Sequence, residues 1–417
     1  MSESRAPSEV DRGIERSLRL YPLFVAGVGF YAWMPVFFTF FASRVSLREV
    51  LLLEAIYYVA IVALEVPSGW LSDRFGRRRV LVGAGATLVG AYACFALADG
   101  FAALAIAQVL LAAGLALNSG ADTSFHLACL ESLGRAEEYG PREARLSSLG
   151  FAMGALSALV GGALAFLDLR LAYVASGLGA LVACLAAIGF HRDAPAGARG
   201  IGATVRACVS ATRQRPLAWM LPVAVAATVS NHLPYELYQP FLERIARTDA
   251  WSDAWASRTS AIAGAHVALV SVLALPVAAV SERLAERLGL ARHFVLSLAL
   301  QAGIVLAMAA FSAPWVLAIV ALRSLPRALQ DAPIRAAVAP HVHPSMRATY
   351  LSLQSLAGRL AFAGVLATLS VVAGDDFDRL RWSAAVIALL FVPVVALAAR
   401  GGRDGASERL GRIDERG

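Results

Sequence analysis

No lysine occurs in this chain of 417 residues, and all 37 basic residues are arginine. That reads as the mark of a GC-rich genome rather than as chemistry. Charge of either sign is scarce. Only 16% of residues are charged, against about 25% in soluble domains. Cysteine is scarce too. Cys94, Cys129, Cys184 and Cys208 form no CxxC pair. Three of these four fall in or at the ends of apolar runs, so they read as small apolar residues, not as disulfides or ligands. The chain also lacks G-x-x-x-x-G-K-[ST], H-E-x-x-H and a G-x-S-x-G on a strand-turn-helix pattern. No enzyme, metal, cofactor or self-contained ATP-driven pump is therefore expected. Energy for any transport must come from a gradient or from the solute itself.

What the chain has in excess is apolar surface, at 58% of residues. It sits in runs of about 20 residues, enough to cross a hydrocarbon core of roughly 30 Å as helix. Such a core cannot hydrogen-bond exposed backbone, and a barrel would need short alternating strands instead. The runs predict an all-α integral membrane protein with helices over 20–42, 47–71, 79–98, 101–130, 143–167, 169–190, 217–243, 259–281, 292–311, 313–338, 346–372 and 380–400. Pro222, Pro234 and Pro240 interrupt the seventh; proline is tolerated in a membrane helix where neighbours satisfy the freed carbonyls. The N-terminus is polar through Arg19 with no secretory cleavage site after the first run, so that run is read as a retained helix. Trp251 and Trp255 look like interfacial anchors.

With the N-terminus inside, 25 arginines fall on inner segments and 8 on outer ones, which argues for both termini in the cytoplasm. The same distribution explains the net charge of +7 without nucleic acid. Residues 191–216 form the longest polar interruption and divide the runs six and six. The expected organisation is a cytoplasmic segment 1–19, a six-helix bundle 20–190, a linker 191–216, a second six-helix bundle 217–400 and a tail 401–417. A weak internal repeat supports two halves. Asp73-Arg74-Phe75-Gly76 aligns with Glu286-Arg287-Leu288-Gly289, and Leu146-Ser147 with Leu351-Ser352. Paired halves are how many transporters place one site at the midplane.

An ionisable group at mid-bilayer costs about 2.5–3.5 kcal/mol on insertion scales, so each should face a cavity or a partner. Glu54, followed by Tyr57 and Tyr58, reads either as a titrating carboxylate or as the partner of an arginine. The seventh run carries Asn231, His232, Tyr235, Glu236, Tyr238 and Gln239 around Pro234. His232 and Glu236 share a helical face. That polar, aromatic stretch suits a substrate wall, with a carboxylate placed to hold a proton on the histidine. Arg323, Arg327, Asp331 and Arg335 recur every fourth residue; Arg327–Asp331 reads as a structural pair. Arg323 and Arg359 lie near mid-membrane and could bind a carboxylate or phosphate. Five acids (Glu54, Glu65, Asp122, Glu236, Asp331) face four arginines, so no charged substrate is demanded. His126, His266 and Gln301 read as helix–helix contacts. Trp33 with Phe37, Phe38, Phe40 and Phe41 reads as packing or lipid contact.

The segment Leu64–Arg79, LEVPSGWLSDRFGRRR, resembles the loop signature of the major facilitator superfamily, roughly G-x-L-x-D-x-x-G-R-[RK]-[RK]. Gly69, Leu71, Asp73, Gly76, Arg77 and Arg78 fit it, and Arg74 lies within it. Glu65-Val66-Pro67-Ser68-Gly69 is similar to a bacterial subset with E-x-P-[ST]-G before the loop. Ser119-Gly120-Ala121-Asp122, Gln239-Pro240 and Arg347-Ala348-Thr349 look like that subset too. The resemblance implies that Asp73 caps the eleventh helix, near Ser345. It implies that Arg77 binds a carboxylate at the end of the fourth, Asp122 first and Glu131 second, latching the halves. Leu110 stands where many members place an arginine four residues before Gly114, and the fifth helix lacks the proline of many proton-driven drug exporters. The expected protein is a secondary transporter of the bacterial inner membrane, working by alternating access as a monomer. It would export a small organic molecule in exchange for protons, with Glu54, Glu236 or Asp122 carrying the proton. Proton symport or facilitated uptake is one alternative, and a non-transporting receptor on the same scaffold another.

Overall fold

The computed structural model describes residues 9–119, 121–192, 219–247, 258–338 and 347–414. All regular structure among them is helical. In chain order the helices are α1 Glu9–Val28, α2 Phe37–Ala42, α3 Leu47–Phe75, α4 Arg77–Leu97, α5 Phe101–Ser119, α6 Asp122–Ser132, α7 Tyr139–Leu167 and α8 Leu169–Ile188. There follow α9 Met220–Ala246, α10 Thr259–Leu288, α11 Leu290–Ala310, α12 Val316–Val320, α13 Leu325–Val338, α14 Arg347–Ala373 and α15 Phe377–Asp414.

Eight helical stretches among the described residues are long and apolar enough to cross a membrane, and α3, bent by 40° between Glu65 and Pro67, makes a ninth. Several expected boundaries are corrected. The first helix begins at Glu9, not near residue 20, because Ile14, Leu18, Tyr21 and Phe24 give its polar stretch a buried face. It then stops at Val28, and the chain resumes helix only at Phe37. The expected helix 313–338 is broken into α12 and α13. In between, the amides of Leu322 and Arg323 bond three residues back, in the tighter 3₁₀ pattern. Helix α15 continues through the expected tail to Asp414. Residues 193–216 of the expected linker, with Cys208, and Trp251, Trp255 and Ser345 lie outside the described residues.

Burial shows lipid as the solvent. On α8 the inward face is small apart from Tyr173: Ala172, Ala175, Ser176, Ala180 and Ala183 are buried with it. The opposite face is large and apolar, with Leu178 60% and Leu185 59% exposed. A helix greasy on its outside is stable in hydrocarbon and not in water.

The chain divides into two units. The first comprises Met1–Val45, Ile56–Arg199 and Ser260–Ala268. Its helix α4 packs between α5 and α8, and α1 lies on α8. Phe37, Phe38, Phe40 and Phe41 are buried packing residues there, and the half-buried Trp33 packs edge-on to Phe37. The indole N–H of Trp33 donates to Tyr92 Oη at 3.2 Å, and Phe40 and Phe95 flank the buried Tyr173. The second unit comprises Ser46–Ala55, Gly200–Thr259 and Leu269–Gly417. Here α11 packs on α15 and α9 on α14. The described cysteines are unbridged, and Cys129 and Cys184 are buried.

The repeat read from the sequence has a backbone counterpart. Gly76 joins α3 to α4 at φ 87°, ψ 143°; Gly289 joins α10 to α11 at φ 77°, ψ 137°. L side chains rarely adopt that conformation, so each turn calls for glycine.

Candidate functional site

Helix α9 carries the polar atoms. Pro234 has no N–H, so the carbonyl of Ser230 loses its helical donor. Along the same helix Ser230 Oγ, Asn231 Oδ1 and both carboxylate oxygens of Glu236 are buried with no hydrogen-bond partner. Buried polar side chains are nearly always paired, so four such atoms on one helix mark it for function.

Glu236 is 3% exposed. The charged group it senses is Glu54, 7% exposed, and both belong to the second unit. Local chemistry puts Glu54 there. Ser46 and Glu49 form a capping box at the start of α3: the Ser46 N–H donates to Glu49 Oε2 at 2.9 Å and the Glu49 N–H to Ser46 Oγ at 3.3 Å. The Arg48 N–H donates to Asp375 Oδ1 at 3.1 Å and ties this first turn to the α14–α15 connection. Glu54 follows two turns later.

A cavity of about 420 Å³ opens within the same unit. Its walls include Thr228, Asn231 and His232 from α9, Arg327, Gln330 and Asp331 from α13, and Gln354 and Arg359 from α14. Gly358 sets the wall spacing: a Cβ there would meet Thr228 Cβ at 2.7 Å, so only glycine lets α14 approach α9 this closely. Asn231 Nδ2 donates to Gln330 Oε1 at 2.7 Å, and Gln330 Nε2 donates to Ser297 Oγ at 2.9 Å. This chain fixes both amides. His232 donates from Nδ1 to Thr228 O at 2.7 Å, and its ring lies against Phe362. Arg327 and Asp331 stand 3.6 Å apart and are largely exposed.

Arg323 lies in the break between α12 and α13. Its guanidinium is buried 4.3 Å above the Tyr238 ring, where the ring face attracts a cation. Tyr235 adds to the same electrostatic neighbourhood.

The loop residues gather in the first unit. Arg74 lies 5.0 Å over the Trp70 ring. Gly69, Asp73 and Arg77 are half-buried, and Arg78 donates to Ile188 O at 2.6 Å. Asp122 accepts the Thr123 N–H at 2.6 Å and faces Asn118 Nδ2 at 3.4 Å; Glu131 is exposed. His126 is a helix–helix contact with an acidic partner: its Nδ1 lies 2.6 Å from Glu143 Oε1, and its ring stacks on Tyr21 at 4.5 Å. At the Ser132–Ala136 turn, Arg135 pairs with Glu15 and Glu138. The hydrogen bond from Glu138 lifts its guanidinium further above an already high range.

Among the residues expected at a site, Asn231, His232 and Arg359 line the cavity together, and Glu236 lies within electrostatic reach of Glu54. Arg323 pairs with an aromatic face. Gln330, Gln354, Thr228 and Glu143 were missed. A lone amide among uncharged residues was the available signal for Gln354, and a place one residue before Asp331 the signal for Gln330.

No curated protein matches the sequence. Solved structures share its fold. The nucleoside transporter NupG superposes with a TM-score of 0.73 at 10% identity, covering 94% of this chain and 99% of that one. An auto-inhibited POT family peptide transporter gives 0.71 at 17% identity, over 93% and 97% of the two chains. A POT family transporter in complex with 5-aminolevulinic acid gives 0.66 at 13% identity, over 94% and 96%. The family model described as Major Facilitator Superfamily matches residues 23–366. The chain therefore belongs to the Major Facilitator Superfamily and is a multi-pass membrane transporter, not an enzyme.

Proposed function

We propose that this transporter couples movement of a small organic solute to protons, and that Glu236, beside Glu54, carries the coupling proton. The observation that supports this is the Glu236 carboxylate, buried with neither oxygen hydrogen-bonded. A bare charge there pays a desolvation cost of several kcal/mol, and a second carboxylate nearby raises it. A proton completes the group. Releasing that proton requires water or a counter-charge, which a conformational change of the carrier would supply. The fold neighbours named for nucleosides and peptides support a polar organic solute.

The remaining parts of the reading rest on the sequence. Twelve spans follow if α1–α2, α9 and α12–α13 also cross; their polar residues and breaks keep them below the apolarity of the others. The arginine distribution supports both termini in the cytoplasm of a bacterial inner membrane. Export in exchange for protons is the direction read from the sequence, and a monomer the expected state. Asp73, Arg77 and Asp122 serve as the latch of the α3–α4 turn.

The test is flux in sealed liposomes under an imposed pH gradient. Glu236→Gln is expected to abolish gradient-driven flux while keeping solute exchange without a gradient. Undiminished proton-coupled flux in both Glu236→Gln and Glu54→Gln would overturn the assignment. The sign of solute movement in the parent protein reads the direction.

A further inference from the structure

The first turns of α1 have two unlike faces. Ile14, Ser17, Leu18 and Tyr21 are buried, while Arg12, Arg16 and Arg19, spaced four and three residues apart, are exposed on the opposite side. Leu23, one turn further along the arginine face, is 48% exposed. That face passes from guanidinium to bare hydrocarbon within one turn, as a helix does on leaving a headgroup layer for a membrane core. Helix α8 makes the same change at the same end: Leu181, Leu185 and Ile188 are exposed and apolar, and Arg192 just beyond them is exposed. The two ends touch. The His191 N–H donates to Ser17 Oγ at 2.7 Å, and a Cβ on Gly189 would lie 2.7 Å from Leu20 Cδ1 and 3.5 Å from Arg16 Nη2. Helix α4 joins them through Arg78 on Ile188 O, and the next residue, Arg79, is exposed.

This basic end has too few acids to neutralise itself. Those nearest in sequence are Glu9, Asp11 and Glu15 on α1, the last already paired with Arg135, and the half-buried Asp73 before α4. None of Arg12, Arg16 and Arg19 has a carboxylate partner among the described residues. The adjoining sequence does not supply the missing charge: residues 1–8 and 193–218 hold two acids, Glu3 and Asp193, against five arginines. Basic clusters set directly against a lipid-facing surface are the usual recognition element for acidic headgroups. We infer that a phospholipid with a negatively charged headgroup binds at this end of α1 and α8. Its phosphate lies among Arg12, Arg16, Arg19 and Arg192, and its acyl chains lie along Leu23, Leu185 and Ile188. The site takes its leaflet from the cytoplasmic placement of the N-terminus and does not depend on proton coupling.

The experiment is native mass spectrometry of the purified full chain in nonionic detergent, titrated with dioleoyl phosphatidylglycerol or dioleoyl phosphatidylcholine, which share their chains. One arginine at an acidic surface contributes about fivefold, so three contribute up to about 150-fold before screening by salt. The parent should therefore bind phosphatidylglycerol at least about tenfold tighter than phosphatidylcholine. Arg12→Gln, Arg16→Gln and Arg19→Gln together should bring the two lipids to within about twofold. Lysine at the same three positions should keep the preference, because charge is what is read. The control replaces Arg283, Arg287 and Arg292, equally exposed but interleaved with Glu282 and Glu286, by glutamine; it removes the same charge and should keep the preference. Glycerophosphoglycerol, the headgroup without chains, should not displace the lipid. No preference in the parent, a preference that survives the glutamine variant, a preference lost in the lysine variant or the control, or displacement by the chain-free headgroup overturns the inference.

Discussion

The paired turns at Gly76 and Gly289 allow a signed test within single helices. Gly76 sits at φ 87° and Gly289 at φ 77°. Forcing an L side chain into such a conformation costs about 1–3 kcal/mol, a shift of roughly 5- to 150-fold in the folding equilibrium. Gly83 in α4 and Gly303 in α11 are different. Each lies inside a helix, and a Cβ added at either meets nothing within 4 Å. There alanine should help, by about 0.5–1 kcal/mol, by stiffening the backbone. Gly76→Ala and Gly289→Ala should therefore unfold at lower sodium dodecyl sulfate, and Gly83→Ala and Gly303→Ala at higher. The turns lie in different units, so their costs should add, to about 2–6 kcal/mol for the double variant. The assay is loss of helical circular dichroism against detergent composition, with each control beside its partner. A shift of the same sign for test and control in one helix would refute the conformational reasoning.

Two further outcomes follow from the geometry. Ser46→Ala removes one half of the capping box at the start of α3; we expect about 0.5–2 kcal/mol of lost stability and weaker gradient-driven flux, because Glu54 rides on that first turn. Arg135→Gln should cost only a little stability, by the same amount across pH 5 to 9, and leave the pH dependence there unchanged. The Glu138 hydrogen bond raises the Arg135 pKa, so what the pair contributes is fully present below the ordinary arginine range of about 12.5 and is lost only above it. Its exposure keeps that contribution small. A stability profile sloping near neutral pH in the parent but flat in Arg135→Gln would contradict this.

Much of the fold could be read from periodicity and apolarity. Long greasy runs gave helices, and DRFG with ERLG pointed to two equivalent turns whose glycines share one backbone conformation. The breaks were harder. Arg323 looked like one member of an i, i+4 series on a continuous helix, yet it sits in the break between α12 and α13, with its guanidinium over Tyr238 of another helix. The start of α3 at Leu47 is where the apolar run predicts it, and Ser46 with Glu49 is the S-x-x-E pattern of a capping box. At the site, α9 announced itself by its polar residues around Pro234. The partners did not. Nothing local tells Glu54 that it will lie near Glu236, 182 positions on, or tells Gln354 that it will line a cavity. Those are consequences of helix packing.

The claim at the centre is that Glu236 holds a proton inside the folded carrier. Infrared difference spectroscopy of the purified protein reads that proton through the carbonyl stretch of a neutral carboxylic acid. We expect such a band at neutral pH in the parent, shifted by deuterium exchange and missing in Glu236→Gln. A parent and a Glu236→Gln variant with identical spectra in that region would mean the side chain is ionised, and the coupling would have to reside elsewhere.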